Sequence, residues 1–349
     1  MKTRSLALVS VIAVATASAA SVDTGALNAE SARLAPQSML LDLAAAGSRI
    51  VAVGDRGIIV LSDNRGQTWR QAKTVPTQNL LTAVCFADER RGVAVGHDEI
   101  VLTTSDGGET WQRKHYAPEA QQPLLDVLCN GADSIAVGAY GTYFLSPDHG
   151  ATWTERKFDA QKPAPPKPAA RGGKGGGAAS EATSGDDEEP LAEDFHLNRI
   201  VAASGSRLYV AAEAGHLYRS DDAGTTWREL PSPYEGSFFG VLPLDGESLL
   251  AYGLRGHLFR SDDGGLHWRA LDSNTEAMLN DAARLPGGTT VIVGLSGAVL
   301  LSRDDSASYQ VLQQSDRKGL SAVLPLGAAE IVTVGEAGVK LISLGAAAP

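Results

Sequence analysis

The chain has 349 residues, 43% hydrophobic and 20% charged, enough apolar material to bury a large core and too much for a chain disordered throughout. Its net charge is −11, or −13 once Lys2 and Arg4 are discounted. That balance argues against non-specific binding to nucleic acid or to an anionic lipid surface.

The first segment, "MKTRSLALVSVIAVATASAA", has two basic residues, an apolar run from Leu6 to Ala15, and small residues that allow cleavage after Ala19 or Ala20. It reads as a signal peptide over 1–20, so the mature chain is expected to be exported, to the periplasm or outside the cell. No later stretch approaches the roughly 20 apolar residues of a membrane helix, and direct membrane insertion is not expected.

Past residue 40 an apolar run leads into a glycine turn and out again, seven times: "VAVGDRGIIVLS", "VAVGHDEIVLTT", "IAVGAYGTYFLS", "YVAAEAGHLYRS", "AYGLRGHLFRS", "VIVGLSGAVLLS" and "VTVGEAGVKLIS". The turn glycine, once alanine, falls at Gly54, Gly96, Gly138, Ala212, Gly253, Gly294 and Gly335. The steps are therefore 41 or 42 residues, with one of 74. A fixed period of about 40 residues marks a repeat architecture. Within one unit "LLTAVCF", "RGVAVG", "EIVLTTS" and "TWQRKH" are strand-length segments punctuated by Gly and Asp, which predicts four antiparallel strands per unit. Seven such units predict an all-β, seven-bladed propeller spanning 21–349 as a single domain.

The seventh unit stops after "VKLISL" without a fourth strand. Aligning "VPTQNLLTAV" with "LAPQSMLLDL" places residues 29–35 where that strand would lie, so the mature N-terminus is expected to complete the last blade and close the ring. The 74-residue step contains a Pro/Gly/Ala stretch with the acidic end "GDDEE". It predicts a disordered insert over 158–194 between blades three and four. Its "GGKGGG" lacks the flanking strand and helix of a phosphate cradle and reads as linker.

A second motif follows each of the first six runs, S-x-D-x-G-x-T-W: "SDNRGQTW", "TSDGGETW", "SPDHGATW", "SDDAGTTW", "SDDGGLHW" and the weaker "SRDDSASY". The aspartate, at Asp106, Asp148, Asp222, Asp263 and Asp304, is expected to accept backbone N–H groups. The glycine can take a positive φ, and the aromatic, at Trp69, Trp111, Trp153, Trp227 and Trp268, is expected to pack between blades. These residues resemble the Asp-box, or BNR repeat, of sialidases and sortilin-type receptors. With "VAVG-x-x-G-x-I-x-L-S" and the "LLD" strand starts, the mature chain resembles the Ycf48/Hcf136 family of photosystem II assembly factors and their bacterial relatives. That resemblance implies a monomeric, non-enzymatic propeller that binds a protein, such as a membrane-protein complex, and assists its assembly or stability.

The alternative is a carbohydrate-active or carbohydrate-binding propeller, because Asp-box rings include glycosidases that work with paired carboxylates. Most acidic residues here fall in the boxes, and no sialidase motif surrounds Arg56, Arg199, Arg255 or Arg284. The seven histidines, His97, His115, His149, His196, His216, His257 and His267, show no close ligand spacing, and neither G-x-S-x-G nor a P-loop occurs. No catalytic residue, metal or cofactor is assigned. Cys85 in "LLTAVC" and Cys129 in "LLDVLC" occupy the same position of successive repeats and are expected to point in the same rotational sense. That argues against a disulfide, which export would allow, and leaves their redox state open.

What remains is the face carrying the turns after each repeat glycine and the starts of the first strands. Its candidates for partner binding are Arg56, His97, Asp98, Tyr140, Arg199, Glu213, Arg255 and Glu336. Asp55 lies beside them in a turn, and Asp42, Asp126 and Asp281 at strand starts. Loops on a rigid scaffold are where binding concentrates.

Overall fold

The computed structural model describes Asp23, residues 27–162 and residues 195–345. Alternating apolar residues in short segments cannot bury both faces within one sheet, so each sheet packs against the next around an axis. In blade one the strands Leu40–Ala46, Arg49–Gly54, Ile59–Ser62 and Arg70–Gln71 run antiparallel from the axis outward. Six further sheets follow, their innermost strands starting at Leu81, Leu124, Leu197, Phe238, Leu279 and Leu320; four repeat this order, while blade four has a fifth strand and blade seven has three among the described residues. Blade seven meets blade one through Ala322, Val332 and Val334 against Leu40, Ile50 and Val60, so the ring is closed. The fold is the expected seven-bladed propeller.

Each box behaves as its residues dictate. In blade three Ser146 Oγ donates to Asp148 at 2.9 Å and accepts the Gly150 N–H at 2.9 Å. The Thr152 N–H and hydroxyl donate to the same carboxylate at 2.9 and 2.7 Å. Asn64 takes the aspartate's place in blade one. Gly150 lies at φ 81°, and a Cβ there would stand 2.8 Å from Val93, so both handedness and space call for glycine. Trp153 joins the core between blades two and three, Trp111 that between one and two, and Trp69 that between seven and one. Trp227, Trp268 and Tyr309 serve the next three joints. The joint between blades six and seven has Leu344 among its buried residues instead.

Three expectations change. Residues 29–35 are not the outer strand of blade seven, which has three strands among the described residues, ending in Gly338–Ser343. Residues 28–32 instead run along blade one: the Ala29 N–H donates to Val75 O at 2.9 Å, and Gln71 bonds Glu30 O and the Ala32 N–H. The short 3-10 turn Ala35–Gln37 then packs against both Gly338–Ser343 and the outer strands of blade one. Side-chain packing rather than strand pairing joins the N-terminal segment to the last blade.

Cys85 and Cys129 form a disulfide, with Cα atoms 5.6 Å apart. Matched on the repeat glycine, Leu81 opposite Gly96 corresponds to Leu124 opposite Gly138, so Cys85 corresponds to Leu128 and Cys129 to Phe86. The two cysteines are thus offset by one residue. In a strand one residue reverses the face, so they point toward each other across the joint between blades two and three.

The insert starts later than 158. Phe158 packs against Tyr143, Tyr218 and Trp227, and Ala160–Gln161 pairs in parallel with Trp227–Glu229 as a fifth strand on blade four. Residues 163–194, where the rest of the insert falls, lie outside the described residues, as does the 1–20 leader.

Two substitutions probe these joints. Trp153→Ala is expected to lower unfolding free energy by about 3–5 kcal/mol in chemical denaturation. Cys85→Ser, which opens a loop of 44 residues, is expected to lower it by up to about 4 kcal/mol. Equal denaturation curves for Cys85→Ser and the parent, both under oxidising conditions, would contradict the second.

Candidate functional site

The upper face is set by a close backbone approach. At the end of each second strand the chain passes so near the start of the first that a Cβ on Gly54 would stand 2.3 Å from Met39 O, and one on Gly96 2.1 Å from Leu80 O. Blade four accommodates a methyl group at Ala212 by taking φ −139°, where Gly54 has −179°. The following turn then places a non-glycine residue in the left-handed region: Arg56, Asp98, Tyr140, Ala214, Arg255 and Ser296, all at φ between 51° and 57°, joined in blade two by Glu99 at 53° where the other turns have glycine. The shorter turn of blade seven, with Gly335 paired to Gly338, carries Glu336.

This geometry puts seven of the eight candidates on one rim. Arg56 is exposed and paired with Asp55 at 3.3 Å. Arg255, His97 and Glu336 are exposed as well. Asp98 is half-buried and accepts the Asn79 side-chain N–H at 3.0 Å. Tyr140 is 57% exposed and meets the His196 ring edge-on at 4.8 Å. Glu213 accepts the His196 N–H and also lies 3.2 Å from its Nδ1. Phe195 and His196, where the described chain resumes after the insert, hydrogen-bond to the turns of blades three and four, so the chain re-enters on this same face.

Arg199 is elsewhere. As the third residue of blade four's innermost strand it lies at the axis, where its guanidinium reaches Asp281 of blade six at 3.0 Å. Asp42, Asp126 and Asp281 occupy the equivalent position in blades one, three and six, and each is at least nine-tenths buried. Each staples the ring: the carboxylate accepts a backbone N–H of the next blade, Val84, Ile200 and Val323, all at 2.8 Å. At this position blade five has Gly240, and a Cβ there would lie 2.2 Å from the Tyr252 hydroxyl, which fills the space.

Burial drives the axial electrostatics. It pushes the Asp42 carboxyl up to about 7, against the pull of Arg199 and with repulsion from Asp126 adding to the rise. Burial also raises Asp126 and Asp281, again opposed by Arg199. For Arg199 burial disfavours the charge, but Asp281 and Asp126 outweigh it and hold the guanidinium well above its usual range.

Tyr252, Asn198 and Asn280 were not singled out by sequence. The two asparagines bond the next blade's first-position carbonyl, Phe238 O at 2.8 Å and Leu320 O at 2.7 Å. The signal was present in the repeated dipeptide Leu-Asn of "HLNRI" and "MLNDA". On the opposite face His149 is half-buried against Arg91 at 2.9 Å and is not a free box residue. Among the described residues no group of three or more His, Cys, Asp and Glu could hold a metal ion. Arg199→Met is expected to cost about 3–5 kcal/mol by stranding buried carboxylates. The loss should be greater at pH 8 than at pH 5 in denaturant titrations, because acid neutralises the stranded groups.

Comparison with known proteins places this arrangement. Residues 61–185 match the family model described as photosynthesis system II assembly factor YCF48. Residues 145–323, about half the chain, match the model described as outer membrane protein assembly factor BamB. No curated protein matches. A structure of YCF48 bound to D1 peptide is similar at TM-score 0.65 and 16% identity, over 89% of this chain and 94% of that one. YCF48 from Cyanidioschyzon merolae is similar at TM-score 0.64 and 13% identity, over 87% and 95%. The WD40 propeller of Doa1 reaches TM-score 0.64 at 12% identity, over 92% and 96%, so these likenesses establish the ring alone. The two family models, with the Asp-box repeats, go further: the chain is a Ycf48-like propeller, and through the match over half its length it also belongs to the propeller family described by BamB.

Proposed function

We propose that this chain is an exported, monomeric, non-enzymatic scaffold whose upper rim binds a polypeptide of a membrane-protein complex and assists its assembly or stability, in the manner of a photosystem II assembly factor. The observation that carries the reading is the rim itself. Seven turns, six of them with a side chain in the left-handed region, project from a closed ring whose blades pack on one another through buried apolar joints. A rigid display of this kind limits the ordering entropy that binding must overcome. The Ycf48 match supports assembly as the task, and the relative with a bound D1 peptide supports a polypeptide as the ligand class.

Glycoside chemistry is the weaker reading, because the axial carboxylates are committed. Asp42, Asp126 and Asp281 each hold a neighbouring blade's N–H, which assigns them to the ring. Export is supported by the leader-like first 20 residues and by the Cys85–Cys129 disulfide, which persists in oxidising compartments.

The test of the rim uses charge reversal and an opposite-face control. Arg56→Glu and Arg255→Glu together are expected to weaken capture of an acidic partner segment at least about tenfold, with stability changed by no more than about 0.5 kcal/mol. Leu266→Ser, at an exposed position in the blade-five box, should leave capture unchanged. Loss on Leu266→Ser with retention in the double arginine variant would place the function on the other face. For export, mass spectrometry of the protein from its native host should find a mature N-terminus at residue 20 or 21; an intact Met1 in a cytoplasmic fraction would refute it.

A further inference from the structure

The axial cluster holds three carboxylates and one guanidinium, and the four are not equivalently paired. Arg199 lies 3.0 Å from Asp281, and Asp126 is the second acid whose charge sustains it. Asp42 has no cation within ion-pair distance among the described residues, and its one hydrogen bond there is the Val84 N–H of the neighbouring blade. It is 7% exposed, too little for water to screen a full charge. The flanking strands offer no compensation. At the adjoining positions blade two presents Thr82, Ala83 and Val84, blade seven presents Ala322 and Val323, and the hairpin partner of Asp42 is Val53. The titratable and charged groups acting on it stand across the axis: Arg199, Asp126 and Asp281, with Tyr252 beside Asp281.

We propose that Asp42 is a proton-responsive joint: the axial cluster takes up one proton there on acidification, and neutralising this buried carboxylate removes an electrostatic cost from the seam between blades one and two. The proton comes from solvent, which reaches the axis where Arg199 keeps 27% of its side chain exposed. It sits on the carboxyl oxygen that Val84 does not occupy, so the staple to blade two is retained in both states. Burial of a carboxyl with no cation of its own, with the residual repulsion of Asp126, puts this exchange near pH 7, against an ordinary 3.8 in the unfolded chain. Between those values the native state binds more protons than the unfolded one. The contribution to stability is therefore fully present below about pH 4 and falls as pH rises toward 7. The consequence is a ring whose stability responds to the acidity of its compartment through a group remote from the rim.

The experiment is a pair of denaturant titrations, the parent chain against Asp42→Asn, at steps from pH 5 to pH 8, with carbon-13 NMR of the Asp42 carboxyl in the parent. The asparagine keeps an acceptor for Val84 and cannot ionise, and Asp126 and Asp281 are present in both chains. The ratio of unfolding constants, parent over variant, is expected to rise about tenfold per pH unit up to pH 7 and level off above it. The Asp42 carbon signal should move with a midpoint near neutrality. A ratio that stays flat from pH 5 to pH 8, or a midpoint below pH 5, overturns the proposal. If the variant does not fold, the titration of Asp42 in the parent decides alone.

Discussion

The approach of backbone to backbone at the repeat glycine is the constraint on which the rest depends. Where the second strand of blade one ends at Gly54, a side-chain carbon would stand 2.3 Å from a carbonyl oxygen of the first strand's approach, and five other blades repeat the contact at Gly96, Gly138, Gly253, Gly294 and Gly335. That proximity fixes the register of the two inner strands and forces the bulge at the start of the first. The bulge in turn aims Asp42, Asp126, Arg199 and Asp281 at the axis. The same contact launches the next turn outward with a side chain held in the left-handed region. Rim and axis are two products of a single steric condition.

Aspartates on the two faces show how environment decides what one residue type does. In the boxes the carboxylate is exposed and surrounded by donors, and Asp263 and Asp304 are held down at about 2 by His267 and Ser308 respectively. At the axis the carboxylates have one or two backbone donors and little exposure to solvent, so burial raises them. Box aspartates thus stabilise their turns across the physiological range. The axial ones join blades at an electrostatic cost that Arg199 offsets in part at all three, through a direct ion pair only at Asp281.

The blades also differ in how they manage their outer edges. Blade four is extended by Ala160–Gln161, with Phe158 set among Tyr143, Tyr218 and Trp227, which anchors the stem of the insert to the ring. At the joint between blades six and seven Leu344 stands where the other joints have a box aromatic, its backbone held by Ala329 O and by Arg303. A core joint of this kind tolerates a change of shape as long as apolar volume is kept.

By itself the sequence determined the number of blades, the strand order, the box geometry and the face that each turn occupies. These follow from local rules: a two-residue side-chain period, a glycine that must lie close to a carbonyl, and an aspartate within four residues of the N–H groups it accepts. Tertiary structure alone decided three things. The cysteines meet because the hairpin of blade two is one residue longer than that of blade three, an offset hidden when "LLTAVC" is laid over "LLDVLC". Residues 28–32 lie along blade one because Gln71 and Val75 offer them hydrogen bonds, a competition that no pattern within the segment records. Arg199 meets Asp281, a partner 82 residues away, because ring closure brings blades four and six to one axis. In each case the deciding quantity is a distance between repeats, which exists only once the ring has closed.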